Sequence, residues 1–229
     1  MCISALVETD LEKVAALLGV PRLLASTPEP PCRRVEAHQS AWIIRQSGAG
    51  RLIAEAMSFN PYVVRRSNLG GDMWASSLLA NNHGLVVLRG YSDWVSAQTM
   101  IEGGMIHHHE ANCAFNRSQS QYGPQHGGDS RQLLVNFTPR APLLVPVLFD
   151  QARPQVLGQE LRKEFVMISD QTPPLFDQLG LSQAPLALDL HTALEWLFAA
   201  DLDPEIDDCS AFLDDSDAPD CALALYKSA

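Results

Sequence analysis

Long apolar runs are missing from this chain: no stretch approaches the roughly 18 residues a membrane-spanning helix requires, so no membrane partner is expected. The sequence does not open on a basic segment followed by an apolar one, so no secretory signal is expected either. Cysteine is scarce and scattered. The five in the chain (Cys2, Cys32, Cys113, Cys209, Cys221) are odd in number and form no recognisable disulfide framework, which suits a reducing cytoplasm. There is no Gly-x-Ser-x-Gly elbow, no phosphate-binding P-loop and no Gly-x-Gly-x-x-Gly dinucleotide fingerprint, and these absences remove several common enzyme classes. No internal repeat is visible.

Positive charge is also in short supply, with 16 Lys and Arg against 27 Asp and Glu. The imbalance sits mainly at one end. From residue 201 onward there are nine acidic side chains and one lysine, whereas the first 200 residues hold 18 acidic and 15 basic ones. A solvated acidic tail over 201–229 is the expectation, either as a plain disordered segment or as one that mimics phosphate or meets a protein partner. The body lacks a broad basic stripe. Any contact with nucleic acid must therefore be local, through the pairs Arg33–Arg34 and Arg65–Arg66.

What the chain does have is apolar patterning ample for one domain: 46% of its 229 residues are hydrophobic, enough to bury a sizeable core. Thr9-Asp10-Leu11-Glu12 has capping-box spacing, with Thr9 as N-cap, ahead of a helix carrying Val14, Leu17 and Leu18 on one face and ending at Gly19. Pro28, Pro30 and Pro31 force an extended loop. Strands are expected at 41–45, 51–58, 84–95, 132–138, 143–149, 165–169 and 186–188, with a short helix at 72–79. Thr138-Pro139-Arg140-Ala141-Pro142 has the chemistry of a hairpin turn between two of these strands. Asp189 is a natural N-cap for a last helix through 191–200. The fold class is therefore α+β, a mostly antiparallel and barrel-like sheet with a few flanking helices. The expected organisation is one domain over 1–200, with a loop insertion at 103–131, followed by the tail; a monomer is expected.

Cys2 stands out among the chemistry-bearing residues. Methionine aminopeptidase trims Met1 ahead of a small residue, which leaves an N-terminal cysteine. Its α-amine titrates near about 7.7–8.0 and its thiol near about 8.5, so both nucleophiles are partly deprotonated at neutral pH. Such a group condenses with an aldehyde through nitrogen and closes through sulfur to a thiazolidine, or acts as an N-terminal nucleophile with its own amine as base. Asp93, between aromatics in Gly90-Tyr91-Ser92-Asp93-Trp94, reads either as a tuned acid–base group or as a solvated strand end. His107-His108-His109-Glu110 and Cys113 resemble metal-ligand material, but adjacent histidines on an extended backbone diverge and no second cluster matches them. No metal and no cofactor are expected.

Taken in order, several segments resemble the SOS-response-associated peptidase family, proteins that process abasic sites and crosslink to DNA. The opening Met1-Cys2-Ile3-Ser4 is similar to the family's Met-Cys-Gly-Arg, and Arg33 to His38 follows its Arg-Tyr-Asn-x-Ala-Pro weakly. Asn68-Leu69-Gly70-Gly71-Asp72 resembles Asn-Ala-Arg-x-Glu, and Gly90 to Trp94 resembles Gly-aromatic-x-Glu-Trp. Phe165 to Ser169 is similar to Phe-x-x-x-Thr, and Leu181 to Leu188, with Trp196 beyond, to the His-Asp-Arg-x-Pro segment and its helix.

The resemblance covers about residues 1–200. It implies that Cys2 traps the ring-opened aldehyde of an abasic site in single-stranded DNA. Asn68 would hold the terminus or the sugar, and Asp93 would shuttle protons in the role of the family glutamate. It also marks departures: Leu181 stands at the family's histidine, and Ser4 and Gly70 at its arginines. Two other readings stand beside this one. The chain is a catalytically degenerate binding or regulatory protein on the same fold, or an N-terminal-nucleophile amidohydrolase.

Overall fold

In the computed structural model, residues 4–26, 31–69, 75, 78, 82–105, 132–151, 163–170, 179, 181, 183–199 and 221–225 are described. The strands in chain order are β1 (Ser4–Val7), β2 (Leu24–Ala25), β3 (Arg34–Glu36), β4 (Ser40–Gln46), β5 (Leu52–Arg65), β6 (His83–Ser96), β7 (Gln132–Pro139), β8 (Leu143–Gln151), β9 (Lys163–Asp170), β10 (Ala184–Pro185) and β11 (Cys221–Leu225). Three α-helices are described: α1 (Leu11–Leu17), α2 (Ala97–Glu102) and α3 (Leu190–Phe198).

Five strands close into a mixed barrel in the order β4-β5-β9-β8-β6 and back to β4. All neighbours are antiparallel except β5 and β9. The closing contact is narrow, a single pairing of Ile44 with Leu85. Strong alternation explains why these segments become barrel staves. Ala41 and Ile43 on β4, Val86 and Leu88 on β6, Val145 and Val147 on β8, and Phe165 and Met167 on β9 join one buried cluster. The residues between them, including Trp42, Ile44, Leu85, Val87, Leu144, Leu148, Val166 and Ile168, join a second. The second cluster also takes Val14 and Leu18 from α1 and Ala193, Trp196 and Leu197 from α3, so it is the outer face under those helices. A strand period of two thus builds both an inner core and a helix-covered one.

β6 is the spine of the molecule. Its first half pairs with β8 over His83 to Leu88, and its second half with β7 over Tyr91 to Ser96. β1 lies along its other edge, with Ser4 opposite Ser92 and Leu6 opposite Gly90. β3 extends the sheet beyond β1, and β11 extends it beyond β7.

Several sequence expectations change. β7 and β8 do not form a hairpin; they lie end to end along the same edge of β6, and residues 140–142 carry the chain from one sheet region to the next. The cap of α1 is Asp10, not Thr9: its carboxylate accepts from the N–H groups of Glu12 (3.1 Å) and Lys13 (3.3 Å). Glu8 takes the N–H groups of Thr9 and Asp10 instead, both at 3.1 Å. Asp189 caps α3 as expected, accepting from Thr192 at 2.9 Å. The strand expected at 186–188 is β10 at Ala184–Pro185 plus an isolated bridge from Leu188 to Leu144. Ala75 and Leu78 of the expected 72–79 helix are helical and buried. Within the expected tail, Cys221–Leu225 forms β11 rather than solvated coil. The His107–Cys113 segment, most of the 103–131 insertion and residues 201–220 lie outside the described residues.

Candidate functional site

A β-bulge on β6 aims the central residue. Register slips between Leu6 and Val7, whose partners are Gly90 and Leu88, leaving Arg89 as the extra residue. Before the bulge, even-numbered side chains face the inner core; after it, Tyr91 and Val95 do. Asp93 shares their parity and faces inward. Without the bulge, period two would send Asp93 to the helix-covered face. Gly90 is required at this crossing, because a Cβ there would sit 2.9 Å from the Phe137 carbonyl oxygen.

Asp93 is 5% exposed, so it is not the end of a solvated strand, and β6 continues past it to Ser96. It lines a small pocket with Val63, Met167, Ser169, Gln183, Ala184 and Pro185. The free space is about 10 Å³, room for a single water. Burial pushes the Asp93 carboxyl above its ordinary range. The positive charge of the chain's amino terminus, a hydrogen bond to it and the Trp94 N–H (2.8 Å) act in the other direction without cancelling that shift. A carboxyl held this way retains its proton closer to neutral pH than a surface aspartate does.

The pocket wall carries a short polar chain. Ser169 Oγ donates to the Val64 carbonyl at 3.4 Å and lies 3.3 Å from the Gln183 amide. The Gln183 carbonyl oxygen accepts from Arg65 Nε and, at 2.7 Å, from Arg65 Nη2. Next to it, Arg66 donates to Asp170 at 2.7 Å. On the other side of Asp93, Ser92 Oγ donates to Asn136 at 2.6 Å, and Ser4 Oγ, opposite Ser92, accepts from Arg34 at 3.3 Å.

The residues singled out in the sequence fare differently. Asp93 lines the pocket, Arg65 is hydrogen-bonded to Gln183 of its wall, and Arg34 reaches the start of β1. Arg66 is engaged with Asp170, and Arg33 is exposed at the entry to β3. Asn68 lies on an exposed 3₁₀ turn after β5 and does not line the pocket. Leu181, which the resemblance sets against the family histidine, is buried in the inner cluster. Cys2 and Gly70 lie outside the described residues. Sequence reading missed Ser169 and Gln183 as site residues. Ser169 had a signal, since period two puts it on the face of Phe165 and Met167; Gln183 had none until its neighbours were known. Among the described residues, no three His, Cys, Asp or Glu side chains are grouped to hold a metal.

No family model matches the chain, and no curated protein matches its sequence. Solved structures do match. A protein from Bordetella bronchiseptica superposes with a TM-score of 0.62 at 14% identity, covering 99% of this chain and 100% of that one. A protein from Bacteroides thetaiotaomicron gives 0.63 at 13% identity over 99% and 92% of the two chains. A phage-related protein from Bordetella bronchiseptica gives 0.62 at 13%, over 99% and 94%. The likeness is one of fold. It runs over essentially the whole chain, so the barrel and its added strands form one shared architecture.

Proposed function

We propose that this chain is a divergent member of the SOS-response-associated peptidase family that traps ring-opened abasic sites in single-stranded DNA through an N-terminal Cys2. The observation that carries the reading is the buried Asp93 carboxyl, set in a pocket beside the start of β1. Ser4 pairs with Ser92, next to Asp93. Only two peptide units separate Ser4 from Cys2, so their Cα atoms are within about 7 Å of each other whatever the intervening conformation.

The chemistry follows from those groups. The Cys2 amine adds to the C1′ aldehyde to give a carbinolamine. Loss of water to the imine needs a proton on the departing hydroxyl, and a carboxyl with a raised pKa supplies it. The thiolate then adds to the imine carbon, forming the C–S bond, and the nitrogen takes up a proton. The products are one thiazolidine and one water. The buried Leu181 offers no acid–base group for the reverse reaction, so the adduct is long-lived.

The test is incubation of the purified protein with a single-stranded oligonucleotide containing one abasic site, followed by denaturing electrophoresis and intact mass. A denaturation-resistant adduct should form with wild type and be absent with Cys2→Ala. Asp93→Asn should form it about 10²-fold more slowly or worse. No adduct from protein whose Met1 is fully removed would sink the proposal, and hydrolysis of glutamine by the same protein would favour the amidohydrolase reading instead.

A further inference from the structure

We infer that Arg45, Glu55 and Lys163 form a second ligand site, which takes a small phosphate-type oxyanion at the barrel end remote from Asp93. The three side chains sit on β4, β5 and β9 and share the parity of the inward-facing Ile43, Met57 and Phe165. The Asp93 pocket is lined from β9 by Met167 and Ser169. Six residues along β9 separate Lys163 from Ser169, about 20 Å at the rise of a strand. The two sites are therefore distinct, and this one owes nothing to the chemistry of Cys2.

Charge marks the cluster. Arg45 Nε donates to one oxygen of the Glu55 carboxylate, and Lys163 Nζ donates to the other at 2.9 Å. Burial alone would raise the Glu55 pKa, but hydrogen bonds from Lys163 and Arg45 lower it, so the group is ionised at neutral pH. One anion thus meets two cations, and a positive charge is left over. Arg66 and Arg89, by contrast, each face a carboxylate of their own, on Asp170 and Glu8.

Hydrogen-bonding capacity is left over as well. A guanidinium has five N–H donors and an ammonium three. Arg45 spends one on Glu55 and one on the Gln46 carbonyl at 3.0 Å, and Lys163 spends one on Glu55. Three donors remain on Arg45 and two on Lys163. Lys163 is also seated against Phe149 of β8, its Nζ 5.7 Å from the ring centre. Glu55, the least exposed of the three, anchors both cations from within, while the cations themselves are partly open to solvent. A tetrahedral oxyanion can bridge them from that side, taking a bidentate pair from Arg45 and a point charge from Lys163. The net charge of −11 on the chain works against indiscriminate anion uptake, so binding here depends on the local excess.

The test is calorimetric titration of the full-length protein with inorganic phosphate at constant ionic strength, with melting curves in parallel. Wild type should bind one phosphate per chain saturably, and its melting temperature should rise with phosphate concentration. Arg45→Gln and Lys163→Gln should each weaken binding about tenfold or more, the loss of one charge-assisted contact. Glu55→Gln should bind phosphate more tightly, because the competing carboxylate is gone, although it melts lower in the absence of phosphate. Arg22→Ala, an exposed arginine beyond α1, and Cys2→Ala should bind as wild type does. Glycerol 3-phosphate, titrated the same way, identifies the source: affinity at least equal to that of phosphate assigns the site to phosphomonoesters, and much weaker affinity assigns it to the free ion. No saturable binding by wild type, wild-type affinity in Lys163→Gln, or weaker binding by folded Glu55→Gln overturns the inference.

Discussion

Asp93 carries a cost that its function would explain. A carboxyl 5% exposed and lined by Val63 and Met167 loses solvation when it ionises, and its pKa is raised for that reason first. The consequence for stability has a definite sign. Because the folded-state pKa lies above the ordinary 3.8, this group's contribution is fully present below that value and is lost as pH rises through the folded one. Asp93→Asn keeps the shape and cannot ionise. The melting temperature of Asp93→Asn relative to wild type should therefore climb as pH rises above the ordinary carboxyl value of 3.8, even as adduct formation falls; a difference that stays flat would argue against the burial account. Glu55 shows the opposite balance. Burial raises its pKa, but hydrogen bonds from Lys163 and Arg45, together with their charges, outweigh that effect and lower it. One carboxylate is anchored as a structural ion, and the other, kept uncomfortable, lines a pocket.

At the scale of the element, β6 does most of the positioning. It passes from the barrel into the outer sheet, and each transition is marked by a glycine. Gly84 lies where β6 crosses β4: a Cβ there would meet the Ile44 carbonyl oxygen at 2.7 Å and Ile43 Cγ2 at 2.8 Å. The Gly84 carbonyl also accepts from the buried Trp196 indole at 2.8 Å, which ties α3 to the barrel seam. Gly84→Ala is expected to cost about 1–3 kcal/mol through backbone displacement, read as a fall of several degrees in thermal midpoint. The seam it guards is narrow, with one β4–β6 pairing, so there is little ladder to absorb the shift. The Arg89 bulge was not visible in the sequence. Tyr91, Asp93 and Val95 look like the continuation of one alternating strand, and a one-residue insertion in a ladder leaves no compositional trace.

For the whole molecule, two cores share one set of strands. The inner cluster fills the barrel, and the outer one is sealed by α1 and α3. The added sheet ends on one side at β11, which covers the edge of β7 through five paired residues from Cys221 to Leu225. An uncovered strand edge invites pairing with another chain. Truncation after residue 220 should therefore lower the melting temperature and increase self-association by light scattering, whereas unchanged behaviour would mean that β11 contributes nothing to the edge. The acidic composition of 201–229 drew attention to charge and hid this strand, whose apolar run of five residues is short and far from the other strands in sequence.

The sequence by itself determined the staves of this protein and the cap of its last helix. The apolar alternation of β4, β6, β8 and β9, the Asp189 cap of α3 and the α+β barrel-like class are written in local patterns, because period and capping depend on neighbours a few residues away. Tertiary structure alone decided which strands meet, and so what the site is. The parallel β5–β9 pairing, the end-to-end placement of β7 and β8, the bulge at Arg89, the placing of Ser169 and Gln183 in the pocket of Asp93, and the bond from Arg65 to Gln183 all depend on chain segments tens of residues apart. The raised pKa of Asp93 belongs to the same group, since desolvation comes from whatever covers a side chain and that covering is a property of the folded whole.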